Sequence, residues 1–484
     1  MKATEATLLH FFNKSPQFVI PIYQRTYSWT DRECQQLWDD IMRAGETTRA
    51  THTFRVFPEQ PTLSKNSWGL LRRRVFRIVI GGEFVSLLGD GIYTVALAWL
   101  VLSVSSVKVL AVTLICLGVP RGLLLLIGGA ATDRLSSRQV MFVSHVTRAV
   151  LVTALGLAVT AKNVHPWEFY VISAAFGIAD AFFWPASKAI LPTLVPSEDL
   201  PRANAINSIA EQAPALVGPL LGGALVADFG AAVGLFCDAG TFVLAAITIL
   251  AAPRSPANAE KPSISVKATF DEIKTGFSYA RSKPGVRWIL LIISASALAY
   301  SGLFGVGLPR LAETFQERAF GLGLMYSSWG FGQLGGAFSA AHTGLPRRWG
   351  ILIIGMAFAE GTTFALLGVV PNLFVVSVML ALLGFGVAYS SDVALPTWVQ
   401  VTTPQEMLGR VSSIMDVPRV VLEPLSMVMM GILCTISVRL AFFAASIPML
   451  TVACILLASK SARTLQTETM PGVARDESAA GEPS

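Results

Sequence analysis

The chain has 484 residues, 53% of them hydrophobic and only 14% charged, with a mean hydropathy of +0.58 and a formal net charge of +6. Soluble domains carry about 25% charged residues, so the composition excludes an ordinary water-soluble protein and points to lipid as the solvent. The basic balance is that of Lys and Arg gathered in membrane loops, and the five scattered cysteines (Cys34, Cys116, Cys237, Cys434, Cys454) match neither a zinc site nor a disulfide framework.

Residues 1–70 stand apart from the rest as a polar extension. "FVIPIYQRTYSWTDRECQQLWDDI", Phe18 to Ile41, carries Ile20, Pro21, Tyr23, Gln24, Arg25, Tyr27, Trp29, Leu37, Trp38, Asp40 and Ile41. In these positions residues 1–46 resemble the opening of the ParB-like domain of modification-dependent restriction endonucleases. The run Asp-Gly-Gln-Gln-Arg that marks that family's nucleotide site is absent. A piece of this size buries too little surface to fold alone. Three readings stand: an inactive fused fragment, a small cytoplasmic docking element, or, remotely, a nucleic-acid- or nucleotide-binding restriction module.

A spanning helix needs about 20 mostly apolar residues. On that measure the sequence predicts twelve, the first six at about 78–103, 109–131, 140–161, 168–192, 205–228 and 232–252. The second six lie at about 287–308, 321–343, 350–370, 373–395, 411–434 and 439–459. The organisation expected is an N-terminal six-helix bundle over 71–252, a cytoplasmic linker over 253–286, a C-terminal six-helix bundle over 287–460 and a disordered tail over 461–484. Within the linker, Val266 to Arg281 reads as an amphipathic helix with Phe270, Ile273, Phe277 and Ala280 on one face. The fold class is therefore an all-α membrane protein.

Charge sets the orientation. Arg72, Arg73, Arg74 and Arg77 precede the first span, Arg134 and Arg138 follow the second, Arg202 follows the fourth, and seven Lys or Arg lie between Arg254 and Arg287. Arg347, Arg348, Arg410, Lys460 and Arg463 continue the alternation, while the opposite loops hold Lys108, Lys162, Arg310, Arg318 and Arg439. Both termini are expected on the cytoplasmic side of a bacterial inner membrane.

The halves repeat. "SEDLPRANAI" from Ser197 aligns with "QEMLGRVSSI" from Gln405, matching Glu198 with Glu406, Leu200 with Leu408, Arg202 with Arg410 and Ile206 with Ile414. Both copies follow an "LPT", at Leu191 and Leu395. Two parallel six-span repeats are the plan of a secondary transporter whose site lies between the halves.

"GGAATDRLSSR", Gly128 to Arg138, resembles the loop between the second and third helices of the major facilitator superfamily. Gly129, Asp133, Arg134 and Arg138 match that pattern, with Ser136 and Ser137 in place of its Gly and first Arg. The resemblance implies a cytoplasmic gate: a carboxylate at a helix end can meet another helix's N-terminus or an Arg, and release it when the bundles rock. "LVGPLLGGAL" supplies Gly218, Pro219, Gly222 and Gly223, which resemble the antiporter motif Gly-Pro-x-x-Gly-Gly of exporting members. A narrower likeness, over about residues 70–460, is to the enterobactin-exporter and macrolide-efflux branch, carried by "FRIVIGGEFVSLLGDGIYTVALAWLVL", "FDEIKTGFSYARSKPGVR" and "TPQEMLGRVSSI".

Ionisable groups within spans are costly and are functional candidates by default. They are Glu83, Asp90, Arg121, Arg148, Asp180, Glu211, Asp238, Glu360, Asp392, Asp416, Arg419 and Glu423. Asp90 and Arg121 lie near mid-span on consecutive helices and are expected to face each other, with Asp90 as the proton-coupling carboxylate. Arg148 with Asp180 is the second expected pair. For both, a static contact that sets helix register is the competing reading. Glu83, Glu211, Arg419 and Glu423 are placed near helix ends, where snorkelling relieves the cost. Phe182, Phe183, Trp184, Tyr326, Trp329 and Phe331 are candidates for lining a pocket, against ordinary packing.

No G-x-x-x-x-G-K-[ST] or H-E-x-x-H run and no nucleophile with partners occurs, so no enzyme, cofactor or metal is expected. Together these features lead to a proton-coupled exporter of amphipathic small molecules. Its expected partners are the cargo, protons and the lipid bilayer, with no nucleic acid, and it is expected to act as a monomer. An importer, or a non-transporting sensor or adaptor on the same fold, is the alternative.

Overall fold

A computed structural model of the protein describes residues 67–253, 283–343, 349–396 and 405–463, with Ser278, Ala280, Arg281, Val399 and Thr403. The N-terminal restriction-domain-like stretch, most of the expected linker helix and the tail lie outside the described residues; of that helix's apolar face, Ala280 is described, and it is buried.

Six helices form the first half: α1 (Arg74–Val104), α2 (Val107–Arg134), α3 (Ser137–Thr160), α4 (Pro166–Leu194), α5 (Leu200–Phe229) and α6 (Ala231–Ile249). In the second half α7 runs over Pro284–Gly302, passes through a π-helical turn at Leu303–Gly307 and continues over Leu308–Ala312. It is followed by α8 (Arg318–Thr343), α9 (Trp349–Leu367), α10 (Leu373–Val387, continued as a π-helical stretch Ala388–Ala394), α11 (Gln405–Ile436) and α12 (Val438–Ala458).

Most helices overrun the apolar windows expected of them, because their first or last turns extend into the flanking polar sequence. Turns are correspondingly short. Gly230 (φ +85°) alone joins α5 to α6, in a backbone conformation that favours glycine. The Asn372 side chain caps α10 by accepting from Val375 N at 3.1 Å.

Among the described residues eleven helices are long and apolar enough to cross a membrane. The twelfth, α8, has 26 residues but reads as less apolar because Gly321, Gly323, Gly330, Gly332, Gly335 and Gly336 fall within it. These glycines serve packing. A Cβ on Gly330 would lie 3.0 Å from Ala215 O of α5, and one on Gly332 or Gly336 would overlap the carbonyl of Ala381 or Phe385 in α10. Small residues let helix backbones approach where lipid gives no hydrophobic drive. Large apolar side chains such as Phe374 and Leu382 face outward, as lipid-facing residues do.

The packing repeats six helices on. In the first half α1 packs on α5 and α6, α2 on α4, and α3 on α4 and α6; in the second α7 packs on α11 and α12, α8 on α10, and α9 on α10 and α12. The principal contacts between halves, α2 with α11 and α5 with α8, are exchanged by the same operation. The repeated sequence copies occupy equivalent places. Leu191, Val195 and Ala203 form one buried cluster with the start of α1, and Leu395, Val399 and Val411 form another with the start of α7.

Candidate functional site

The ionisable residues of the first half converge inside its bundle, and glycines decide how. Gly177 of α4 lies against Leu117 O of α2, where a side chain would clash with the carbonyl. That approach places Arg121, one turn beyond Leu117, beside Asp180, one turn beyond Gly177: Arg121 Nε is 3.0 Å from Asp180 Oδ2. On α1, Asp90 is flanked by Gly89, which admits the Asp238 and Thr241 side chains of α6, and by Gly91, whose backbone meets Gly218 of α5.

Arg148 of α3 is the centre of the cluster. Its side chain is fully buried, with Nη1 3.6 Å from Asp180 Oδ1 and 4.0 Å from Asp90 Oδ2. Its guanidinium carbon lies 4.2 Å from the ring centroid of Phe183, 4.6 Å from that of Phe242 and 5.9 Å from that of Phe176, so cation–π attraction replaces part of the lost hydration. Nε and Nη1 make no hydrogen bond. Arg148 Nη2 donates to His145 Nδ1 at 3.4 Å, and His145 Nε2 pairs with Glu83 Oε1 at 3.0 Å. Asp238 is fully buried; its Oδ1 accepts from Thr241 Oγ1 at 3.4 Å while Oδ2 makes no hydrogen bond.

The four expected residues are thus gathered: Arg148 and Asp180 meet as expected, while Asp90 and Arg121 do not pair with each other. Arg121 pairs with Asp180 and not with Asp90, because the α2–α4 approach rotates its side chain toward α4. Asp90 turns instead toward Arg148, and Asp180 is shared by both arginines. Glu83 is not near a helix end: α1 begins at Arg74, so Glu83 is its tenth residue, deep enough to reach His145. Glu211 also lies well within α5, where it accepts from Lys188 Nζ at 2.9 Å and from Asn207 Nδ2 at 2.8 Å. His145 was invisible to the sequence reading, since a lone histidine in an apolar helix carries no spacing signal. Its place one turn before Arg148 is the only hint.

The candidate aromatics divide. Phe183 is buried over Arg148, Trp184 stands within 5.7 Å of Arg121 and 5.9 Å of Lys188, and Tyr326 and Trp329 pack with Phe304 in the second half, while Phe331 is exposed. Tyr326 Oη donates to Phe304 O at 2.6 Å, satisfying a carbonyl in the π-helical turn of α7.

Of the gate residues, Asp133 and Arg134 belong to the last turn of α2 rather than to a loop, leaving Leu135 and Ser136 as the connection to α3. The side chains of Gly129's turn, Asp133 and Arg134 lie outside the described residues; Arg138 is half-buried in the first turn of α3. The Gly-Pro-x-x-Gly-Gly run divides its two sides. A Cβ on Gly218 would lie 2.8 Å from Leu88 O, and one on Gly222 2.8 Å from Ile92 Cα, both in α1. A Cβ on Gly223 would lie 2.9 Å from Ala319 O in α8, and Pro219 O faces Gly323 of α8. The motif therefore seats α5 between the helix bearing Asp90 and the opposite half.

The two matching halves and the buried charge cluster define a secondary transporter, and the chain belongs to the Major Facilitator Superfamily, whose family model matches residues 79–418. It is a multi-pass membrane transporter and not an enzyme. It is 27% identical over 383 residues to the enterobactin exporter EntS of Shigella boydii serotype 4, a match covering 76% of this chain and 88% of that protein. The same identity and coverage hold for EntS of Escherichia coli O139:H28. In fold it is similar to a point mutant of the nucleoside transporter NupG (TM-score 0.64, 13% identity, covering 79% of this chain and 99% of the other). It is also similar to a bacterial homolog of the human lysosomal transporter Spinster, inward-facing and occupied (TM-score 0.60, 15% identity, 80% and 96%). Residues 8–59 match the model of the GmrSD restriction endonuclease N-terminal domain.

Proposed function

We propose that the chain is a proton-driven exporter of an amphipathic small molecule, working by alternating access as a monomer in a bacterial inner membrane with both termini cytoplasmic. One observation carries the reading: α5 joins the charge cluster to the seam between halves. Asp90 adjoins Gly91, whose backbone meets Gly218, and Gly223, five residues further along α5, meets α8. A change in the charge of Asp90 alters its attraction to Arg148 and is felt directly where the bundles touch.

Two further features support it. Four carboxylates (Glu83, Asp90, Asp180 and Asp238) face two guanidiniums and one imidazole in the buried cluster. Uncompensated charge is costly inside a membrane, so this excess of acid favours a cluster that takes up protons. The relatives named EntS are, by name, exporters of enterobactin. The contacts between halves run from the middle of α5 and α8, where Gly330 meets Ala215, to the helix ends opposite the basic loops, where Gly223 meets Ala319 and Gly431 meets Ala111. This arrangement suits a state open to the cytoplasm.

The test is accumulation of macrolides, dyes and a catecholate siderophore in efflux-deficient cells expressing the chain, each with and without a protonophore. Lower accumulation that the protonophore abolishes is the expected result. Higher accumulation than in control cells would establish import instead, and lower accumulation unaffected by the protonophore would remove protons from the mechanism.

A further inference from the structure

Between the cavity side of α1 and the buried centre of the bundle runs a chain of three side chains: Glu83, His145 and Arg148. Glu83 lines a narrow cleft with Trp184, Ser187, Asn207 and Glu211, and its side chain is 12% exposed. His145 is fully buried, edge-on to Phe183 at 5.2 Å between ring centroids. Arg148, one turn further along α3, has its Nη1 in reach of both Asp90 and Asp180.

Donor and acceptor chemistry determines the imidazole's tautomer. An ionised carboxylate only accepts and a guanidinium only donates. Glu83 at 3.0 Å therefore requires the proton on His145 Nε2, and Arg148 Nη2 at 3.4 Å requires a bare lone pair on Nδ1. A second proton has one place to go, the Nδ1 position. Arriving there, it converts the acceptor of Arg148 into a donor and sets two cations against each other in a low-dielectric interior.

We propose that His145 is a positioning residue for Arg148: with Nδ1 bare it holds the guanidinium between itself and the aspartates, and when protonated it hands Arg148 to Asp90 and Asp180. This rests on the proton-driven reading above and names the group that receives a proton from the cleft. The proton passes from cleft water to Glu83, and Glu83 presents it to the imidazole. As Nε2 is already protonated, net uptake requires the ring to turn. Its hydrogen bonds to Glu83 and Arg148 break, the bare Nδ1 comes to face Glu83 and takes its proton, and Glu83 is left ionised beside a ring protonated at both nitrogens. The charged groups that face the ring are Glu83 on α1 and Arg148 on α3 itself; Arg148 in turn faces Asp90 on α1, Asp180 on α4 and Asp238 on α6, and Arg121 on α2 pairs with Asp180. Asp90 and Asp180 both lie in front of Arg148, so releasing the guanidinium moves it toward the coupling carboxylate rather than into apolar packing.

The test is nitrogen-15 magnetic resonance on the full chain in lipid bilayers, labelled at histidine and at arginine, at pH 8 and pH 5. The chain has five histidines, and the His145 and Arg148 signals are assigned by their loss in His145→Gln and Arg148→Lys. The expected spectrum at pH 8 has His145 protonated at Nε2 and bare at Nδ1. At pH 5 both nitrogens are protonated and the Arg148 signal shifts with them; in His145→Gln the Arg148 signal is the same at both values. Glu83→Gln, which keeps the side chain's size but cannot carry the proton, is expected to keep the Nε2 tautomer at pH 8, since Arg148 still requires a bare Nδ1, and to slow the second protonation at pH 5. A ring protonated at Nδ1 at pH 8, a ring still neutral at pH 5, or an Arg148 signal in His145→Gln that moves as in the wild type, would overturn the proposal. Neither result touches the export reading, which stands or falls on the protonophore experiment.

Discussion

Arg121 of α2 and Asp180 of α4 form an ion pair at 3.0 Å, and the same carboxylate also faces the fully buried Arg148 at 3.6 Å. One acceptor thus serves two guanidiniums on different helices. Asp180→Asn leaves the fully buried Arg148 short of a counter-charge. Removing one partner of a buried pair costs about 3–5 kcal/mol, so the detergent-solubilised variant is expected to melt several degrees below the wild type. Lys188→Met, whose lysine is 61% exposed and paired with Glu211, is expected to cost at most about 1 kcal/mol. Melting curves that rank the two variants equally would remove Asp180 as the keystone of the bundle.

Asp90→Asn preserves the shape of the side chain while abolishing its charge. Membrane insertion and yield are expected to be unchanged, while protonophore-sensitive export falls about tenfold or more, in line with a functional intramembrane carboxylate. A wild-type export rate would strip Asp90 of the coupling role and leave the fold intact.

The seam between halves depends on Gly223, where an added Cβ would lie 2.9 Å from Ala319 O. Gly223→Ala is expected to cost about 1–3 kcal/mol through overpacking and to slow transport. Gly118 in α2 has nothing within 4 Å of such an atom, so Gly118→Ala is the control. It is expected to be neutral or to stabilise by up to about 1 kcal/mol, as alanine does in helices. Thermal stability of the two purified variants decides the matter, and equal losses would count against close packing at the seam.

Asp133 occupies the last helical turn of α2, where a carboxylate faces the negative end of its own helix dipole. In the proposed gate, a partner on the other half would offset that cost in one conformation only. Asp133→Asn is expected to insert normally and to slow export severalfold. Rates measured in inverted vesicles at matched protein levels test this, and full activity would place the gate elsewhere.

The sequence by itself determined the twelve-helix plan, the family and the carboxylates and guanidiniums of the charge cluster. A bilayer demands about 20 apolar residues per crossing, and a carboxylate or guanidinium inside such a run stands out at once. The repeat from Ser197 to Gln405 was likewise legible, and its copies occupy matching clusters in the two halves. Partnership was decided only by tertiary structure. Whether Arg121 meets Asp90 or Asp180 depends on how far α2 is rotated and how closely it approaches α4, and that is set by the contact of Gly177 with Leu117, 60 positions apart in the chain. The Glu83–His145–Arg148 chain was hidden for the same reason. A helix period tells which residues share a face, but the neighbour that face meets is chosen by packing among all the helices together.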